Sequence, residues 1–151
     1  VKGISILVSI LILTGCATSY QSGAFSYTGG YYEVPVNEKL TKVVFSGNGF
    51  LENETASQYT LFRCAELANK QNKPYFYIYE NLFQASLEHP SKTVSNGSVG
   101  GKPITYTYVR FLDREAEGAI STNEILAQLE ASKKKSRTQK NESTKKKGDS
   151  K

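Results

Sequence analysis

Residues 53–72, NETASQYTLFRCAELANKQN, read as a helix whose apolar face is built mostly from small side chains. Stepping about 100° per residue collects Ala56, Thr60, Leu61, Cys64, Ala65, Leu67 and Ala68 on one half of the wheel. Gln58, Arg63, Glu66, Asn69 and Lys70 take the other half, with Tyr59 and Phe62 as exceptions. A face of such small volume cannot fill a gap, so the helix must lie close on its partner, and a flat β-sheet permits that approach. Asn53 or Thr55 is placed to cap its N-terminus, and Gln58 stands three residues after Thr55, as a capping box requires.

The flanking segments supply the sheet. KLTKVVFSG, from Lys39, is rich in β-branched and aromatic residues and is broken by Gly47-Asn48-Gly49. Pro74 opens a second strand, YFYIYENLF. A loop follows over residues 88–101, where SNGSVGG reads as a flexible connector. KPITYTYVRFLD then alternates, with Ile104, Tyr106, Tyr108, Arg110 and Leu112 on one face and Thr105, Thr107, Val109 and Phe111 on the other. Ser121 with Glu124 makes a second capping box, opening a short helix with apolar Ile125, Leu126 and Leu129. The order β-α-β-β-α predicts an α/β chain of the α+β type, a small two-layer sandwich with a mainly antiparallel sheet. The β-α-β crossover makes its first two strands parallel if they are neighbours.

Charge divides the chain. Residues 132–151 hold nine Lys or Arg against Glu142 and Asp149, a net of +7, whereas the whole chain is +5. Everything before Ser132 therefore sums to −2, a mildly acidic body with a basic extension. Positive charge confined to such an extension, and absent from a folded face, is not the profile of a nucleic-acid-binding domain. With almost no apolar residue, the extension reads as a disordered, solvated tail able to touch an anionic lipid or cell-wall polymer.

The other end carries a leader. Lys2 precedes the apolar run ISILVSILIL, which has signal-peptide length and falls well short of the roughly 20 residues that cross a bilayer. Val1 in place of Met reads as a literally translated alternative start codon. The run ends at Leu13-Thr14-Gly15-Cys16, which resembles the lipobox of bacterial lipoproteins. That resemblance implies cleavage between Gly15 and Cys16, with a diacylglyceryl group on the thiol and an acyl group, such as palmitate, on the new amine. Two or more acyl chains hold a protein stably on a bilayer. Ala17, where an Asp would imply retention in the inner membrane, points to an outer-membrane anchor facing the periplasm. The organisation expected is a signal peptide over 1–15, a lipidated N-terminus and flexible Ser/Gly/Tyr-rich tether over 16–36, an α/β domain over 37–131 and the tail over 132–151.

Beyond the lipobox, FSGNGF, YTLFRCAELA, YFYI and NEILAQL together resemble a family of small bacterial envelope lipoproteins of uncharacterised function. Members usually carry Ala where this chain has Cys64. The resemblance implies location and fold only.

Catalytic material is sparse. His89 is the sole histidine and sits in a loop, so neither a metal site nor a His-based triad is indicated. SNGSVGG lacks the Gly-Lys-Ser/Thr ending of a phosphate loop, and no carboxylate pair stands out. Cys64 reads as a buried small hydrophobe. The tyrosines carry more. Tyr75, Tyr77 and Tyr79 share one face of their strand and Tyr106 and Tyr108 one face of theirs, so the five can line one sheet surface suited to sugar rings, peptide or a partner protein. The expectation is a non-enzymatic, lipid-anchored binding or assembly module of the cell envelope, without cofactor beyond the acyl groups. Its partners are the membrane and an envelope protein or cell-wall polymer. The alternative is a small envelope hydrolase or transferase with an unidentified site.

Overall fold

The alternation read in residues 102–113 becomes the strand around which one sheet is assembled. The computed structural model describes residues 17–23 and 29–148. In chain order the elements are β1 (Gly30–Asn37), β2 (Leu40–Ser46), α1 (Asn53–Lys70), β3 (Tyr75–Tyr79), α2 (Leu82–Ser86), β4 (Ser95–Val99), β5 (Lys102–Leu112), β6 (Ile120–Ser121) and α3 (Thr122–Gly148). The sheet order is β1-β2-β5-β3-β6, with β4 also paired to β5. One edge of β5 pairs with β2, and the other is shared between β4 at its start and β3 at its end. All these pairings are antiparallel. The chain is thus an α+β protein with an antiparallel sheet, as its patterning predicts. The strands flanking α1 do run the same way, because β2 and β3 are each antiparallel to β5, but β5 lies between them.

The core forms on one face of this sheet. Val43, Phe76, Ile78 and Val109 pack there with Phe62, Cys64, Ala65 and Ala68 of α1 and with Ile125 and Leu129 of α3. Ala56, Thr60, Cys64 and Ala68, a row at four-residue spacing, have no exposed surface at all. The small-residue face therefore does lie directly on the strands. Tyr59 and Phe62 cease to be exceptions, because residues 17–23 and α3 cover that flank. The Tyr20 ring sits 5.4 Å from Tyr59 and 6.1 Å from Phe62.

Several local expectations are corrected. Residues 17–36 are not a free tether throughout. Ser22 bridges Tyr31, and residues from Gly30 pair with β2 as an edge strand. An edge tolerates Pro35, which lacks a donor for a further neighbour. Gly29 fits where the chain crosses the sheet end: its φ is +91°, and a Cβ there would stand 2.1 Å from the Ser46 carbonyl oxygen. Arg63 then ties the segment down. It pairs with Glu33 of β1 and, at 2.9 Å, with Glu66, whose carboxylate also accepts from the Tyr20 hydroxyl at 2.5 Å. The Arg63 guanidinium lies 4.3 Å over the Tyr31 ring.

α1 begins after Glu52 with no side-chain cap, so Thr55 falls inside the first turn and closes no capping box. The second box is half realised, the Ser121 hydroxyl accepting from the Glu124 N–H at a long 3.4 Å. The strand expected through Phe83 stops at Tyr79, because the Asn81 side chain accepts from the Gln84 N–H at 2.9 Å and caps α2. SNGSVGG is no loose connector. It forms β4 and a two-residue hairpin turn, with Gly100 and Gly101 at φ +58° and +75°, as a type I′ turn requires. Finally, the helical backbone of α3 runs through the basic stretch to Gly148. No Gly or Pro interrupts it earlier, its Lys, Gln, Glu and Arg favour helix, and its first turns are already ordered by packing. Among its described side chains, the last buried one is Leu129.

Candidate binding face

The face opposite the long helices gathers the tyrosines. The β3–β5 register sets Tyr75 against Leu112, Tyr77 against Arg110 and Tyr79 against Tyr108. Tyr106 follows along β5, between Val44 of β2 and Ser95 of β4. Tyr77 and Tyr79 meet edge to face at 6.2 Å between centroids, and Tyr106 and Tyr108 at 6.4 Å. Lys42, opposite Tyr108 in register, extends its ammonium to 4.5 Å from the Tyr106 ring and 5.6 Å from the Tyr108 ring. Such cation–π contacts hold the charge at the aromatic surface. Tyr75, Tyr77, Tyr106 and Tyr108 are each half-buried, their inner edges packed and the rest open to solvent.

Tyr79 departs from the set. It is only 1% exposed, so no partner touches it directly. α2 and the turn before β2 close over this corner, leaving a cavity of about 270 Å³ lined by Leu40, Tyr79, Leu82, Ala85, Glu88 and Arg110, among others. Arg110 donates to Glu88 at 2.5 Å across it, and this bond holds the guanidinium above its ordinary pKa against the opposing effect of burial. Burial pushes the Tyr79 phenol up, opposed by the Arg110 guanidinium beside it, which approaches the hydroxyl without the geometry of a hydrogen bond. Leu82, in the cavity lining, is 49% exposed, and α2 and the residue after it also expose Phe83 (72%) and Leu87 (49%).

Sequence reasoning did not include Lys42, Arg110 or α2 in this face. The signal for Arg110 was present, since it shares the alternation of Tyr106 and Tyr108; that of Lys42 depends on the strand pairing. His89 is exposed, and among the described residues no group of three or more His, Cys, Asp or Glu is arranged to hold a metal ion. Cys64 is fully buried, and burial pushes its thiol far above the ordinary range, which suppresses the reactive thiolate. What the face offers is adsorption chemistry: flat aromatic edges with phenolic tips and two cations, suited to stacking and hydrogen bonding.

The Gly15–Cys16 bond lies outside the described residues. No helix among the described residues is long and apolar enough to cross a membrane. No family model matches the chain, and neither a curated protein nor a solved structure does.

Proposed function

We propose that this is a lipid-anchored protein of the bacterial cell envelope, held through Cys16 and facing the periplasm, whose tyrosine face binds another envelope component. The observation that carries the binding role is the asymmetry of the sheet. Both long helices pack on one face, while the other keeps Tyr75, Tyr77, Tyr106 and Tyr108 half-open beside Lys42. Rigid aromatic side chains with hydrogen-bonding tips are efficient contact residues because little entropy is lost on ordering them. The chemistry fits the rings of a cell-wall glycan or an extended peptide better than a nucleic acid, since the body preceding the basic stretch is acidic.

The test is a photo-crosslinking amino acid at Tyr77 or Tyr106 in growing cells, with exposed Lys70 at the end of α1 as control. Discrete crosslinked species from the two sheet positions and none from Lys70 is the expected result. No adduct from either, or the same adducts from all three, would remove the binding role. The anchor is tested separately. Cys16→Ser, which supplies no thiol for the thioether, is expected to abolish incorporation of a fatty-acid analogue and leave the leader uncut. Label persisting on that variant would refute the assignment.

A further inference from the structure

We infer that one end of the domain, carrying Thr18, Asn48, Phe50 and Val99, rests directly on the bilayer, so that the membrane orients the domain. This rests on the lipid-anchor reading of Cys16. Only Ala17 separates Cys16 from Thr18 in the sequence, a reach of about 7 Å between the two Cα atoms at full extension. Thr18 is held, not free to swing. Its N–H donates to Asn48 Oδ1 at 3.2 Å, and its hydroxyl accepts from the Asn48 N–H at 2.8 Å. The same Asn48 Oδ1 accepts from the Phe50 N–H at 3.1 Å, which couples the anchor-side chain to the loop tip.

Two apolar side chains stand exposed at this end. Phe50 and Val99 are each 66% exposed. The loop bearing Phe50 adjoins the hairpin turn after Val99: the Gly47 N–H donates to the Pro103 carbonyl at 2.8 Å, and Gly49 lies against Gly101. Exposed apolar tips beside an acyl anchor suit the headgroup–acyl boundary of a bilayer.

The basic helix comes to the same end. α3 starts at the opposite one, where the Thr122 N–H donates to the Pro74 carbonyl. By Ser132 to Arg137 it has reached Ser19, Tyr20 and Tyr59. The helical backbone then continues to Gly148, a further rise of about 16 Å at the α-helical pitch. That stretch contains Lys140 and three consecutive lysines at 145–147. Glu52 and Glu54, at the start of α1, outnumber Lys102 beside Val99, so the body's own charge at this end is net negative. The attraction falls to the helix, and anionic headgroups are what it would meet. The occupant of this end is thus a bilayer containing anionic lipid. β2 runs from Leu40 to Ser46, about 20 Å, so the cavity and α2 stand at the end remote from the membrane, with the tyrosine face side-on.

The test uses full-length lipidated protein carrying Cys64→Ala, reconstituted into vesicles of phosphatidylethanolamine and phosphatidylglycerol. Mass spectrometry first establishes that Cys16 is acylated. Phe50→Cys, Val99→Cys and Leu82→Cys are each labelled with an environment-sensitive dye. The expected result is a blue shift at positions 50 and 99, with loss of emission when the lipids carry a quencher, and neither change at 82. Replacing the lysines at 145–147 by serine, or phosphatidylglycerol by phosphatidylcholine, is expected to reduce the quenching. Acylated protein whose three positions respond alike, or whose position 82 alone is quenched, overturns the orientation and leaves the anchor standing. A shift at 50 and 99 that follows protein concentration without lipid would make this end a contact between copies and equally overturn it. Absence of acylation at Cys16 overturns the anchor reading and this inference together.

Discussion

The side-chain oxygens of Thr60 on α1 and Thr105 on β5 lie 2.6 Å apart, and neither residue has exposed surface. Both also reach the Ala56 carbonyl oxygen, Thr60 at 3.2 Å and Thr105 at 3.0 Å. Two hydroxyl protons serve three contacts, so whichever threonine donates to its partner, the partner's proton goes to Ala56. Thr60→Val and Thr105→Val each remove one bond and leave the surviving hydroxyl a carbonyl to donate to. Each is expected to lose about 1 kcal/mol in urea denaturation. The double variant should lose no more than the two together, because no donor is stranded. A single-variant loss several times larger would mean that the pair does more than this geometry assigns to it.

Tyr79→Phe removes a buried hydroxyl that has no hydrogen-bond partner among the described residues. Stability is expected to stay within about 1 kcal/mol of the parent, or to rise, since no intramolecular bond is lost. Tyr79→Ala empties a wholly buried ring site and is expected to cost about 3–5 kcal/mol. Thermal or urea unfolding of the two variants separates these outcomes. A Tyr79→Phe change as damaging as Tyr79→Ala would show that the phenol is engaged.

Arg63→Met breaks the contacts to Glu33 and Glu66 together while retaining bulk beside Tyr31. The pair is about a quarter exposed, so solvent screens part of its strength, and the expected loss is about 1–3 kcal/mol. The more specific readout is local. Amide exchange of Tyr31 and Gly23, bonded to Gln21 and Tyr31 carbonyls at 2.8 Å, should accelerate ahead of that of β5. Equally rapid exchange in the parent protein would return residues 17–23 to the status of a tether.

Cys64 gives a pH dependence of definite sign. Its folded pKa lies above the ordinary thiol value of 9.0 because burial disfavours the thiolate. The unfolded chain therefore releases this proton first, so the contribution is intact below pH 9.0 and declines as pH rises above it. Tyr20 adds to the decline from pH 10.0, its phenol raised by burial and by its bond to Glu66. Urea midpoints of the parent are expected to hold from pH 8 to about 9 and to fall from there to pH 10, and Cys64→Ala to show a shallower fall between pH 9 and 10. At neutral pH, Cys64→Ala should cost about 1 kcal/mol or less and Cys64→Leu about 1–3 kcal/mol, from overpacking against the sheet. Parallel pH profiles for parent and Cys64→Ala would contradict the burial account.

Truncation separates the two halves of the basic segment. Ending the chain at 140 leaves Leu129 and the stretch beside Tyr20 and Tyr59 in place, and stability is expected to be unchanged. Ending it at 131 uncovers that flank and is expected to cost about 1 kcal/mol through lost apolar contact. The loss of helical circular dichroism on going from 151 to 140 residues checks the extended helix; an unchanged signal per chain would refute it.

Much of the sheet was legible because its signals are local and periodic. The period-two alternation of β5 assigned each of its side chains to the correct face, and the helical wheel of α1 identified the row that touches the strands. What escaped were elements whose stability is borrowed from neighbours. β1, with Pro35 and little buried side-chain surface, and the polar, glycine-containing β4 hold their place by hydrogen bonding to β2 and β5. The tyrosine face was half-read for the same reason: which residues share a strand face follows from parity, but that Lys42 joins them and Tyr79 is covered depends on pairing and on α2.

The sequence by itself determined the class of fold, the composition of the α1–sheet contact and the separation of an acidic body from a basic extension, because period, side-chain volume and charge are properties of neighbouring residues. Only the tertiary structure decided that Thr18 is locked to Asn48, that Arg63 binds Glu33 thirty residues away, and that α3 returns past Tyr20. Contacts of that range are selected by the shape of the assembled core, and no local pattern encodes them.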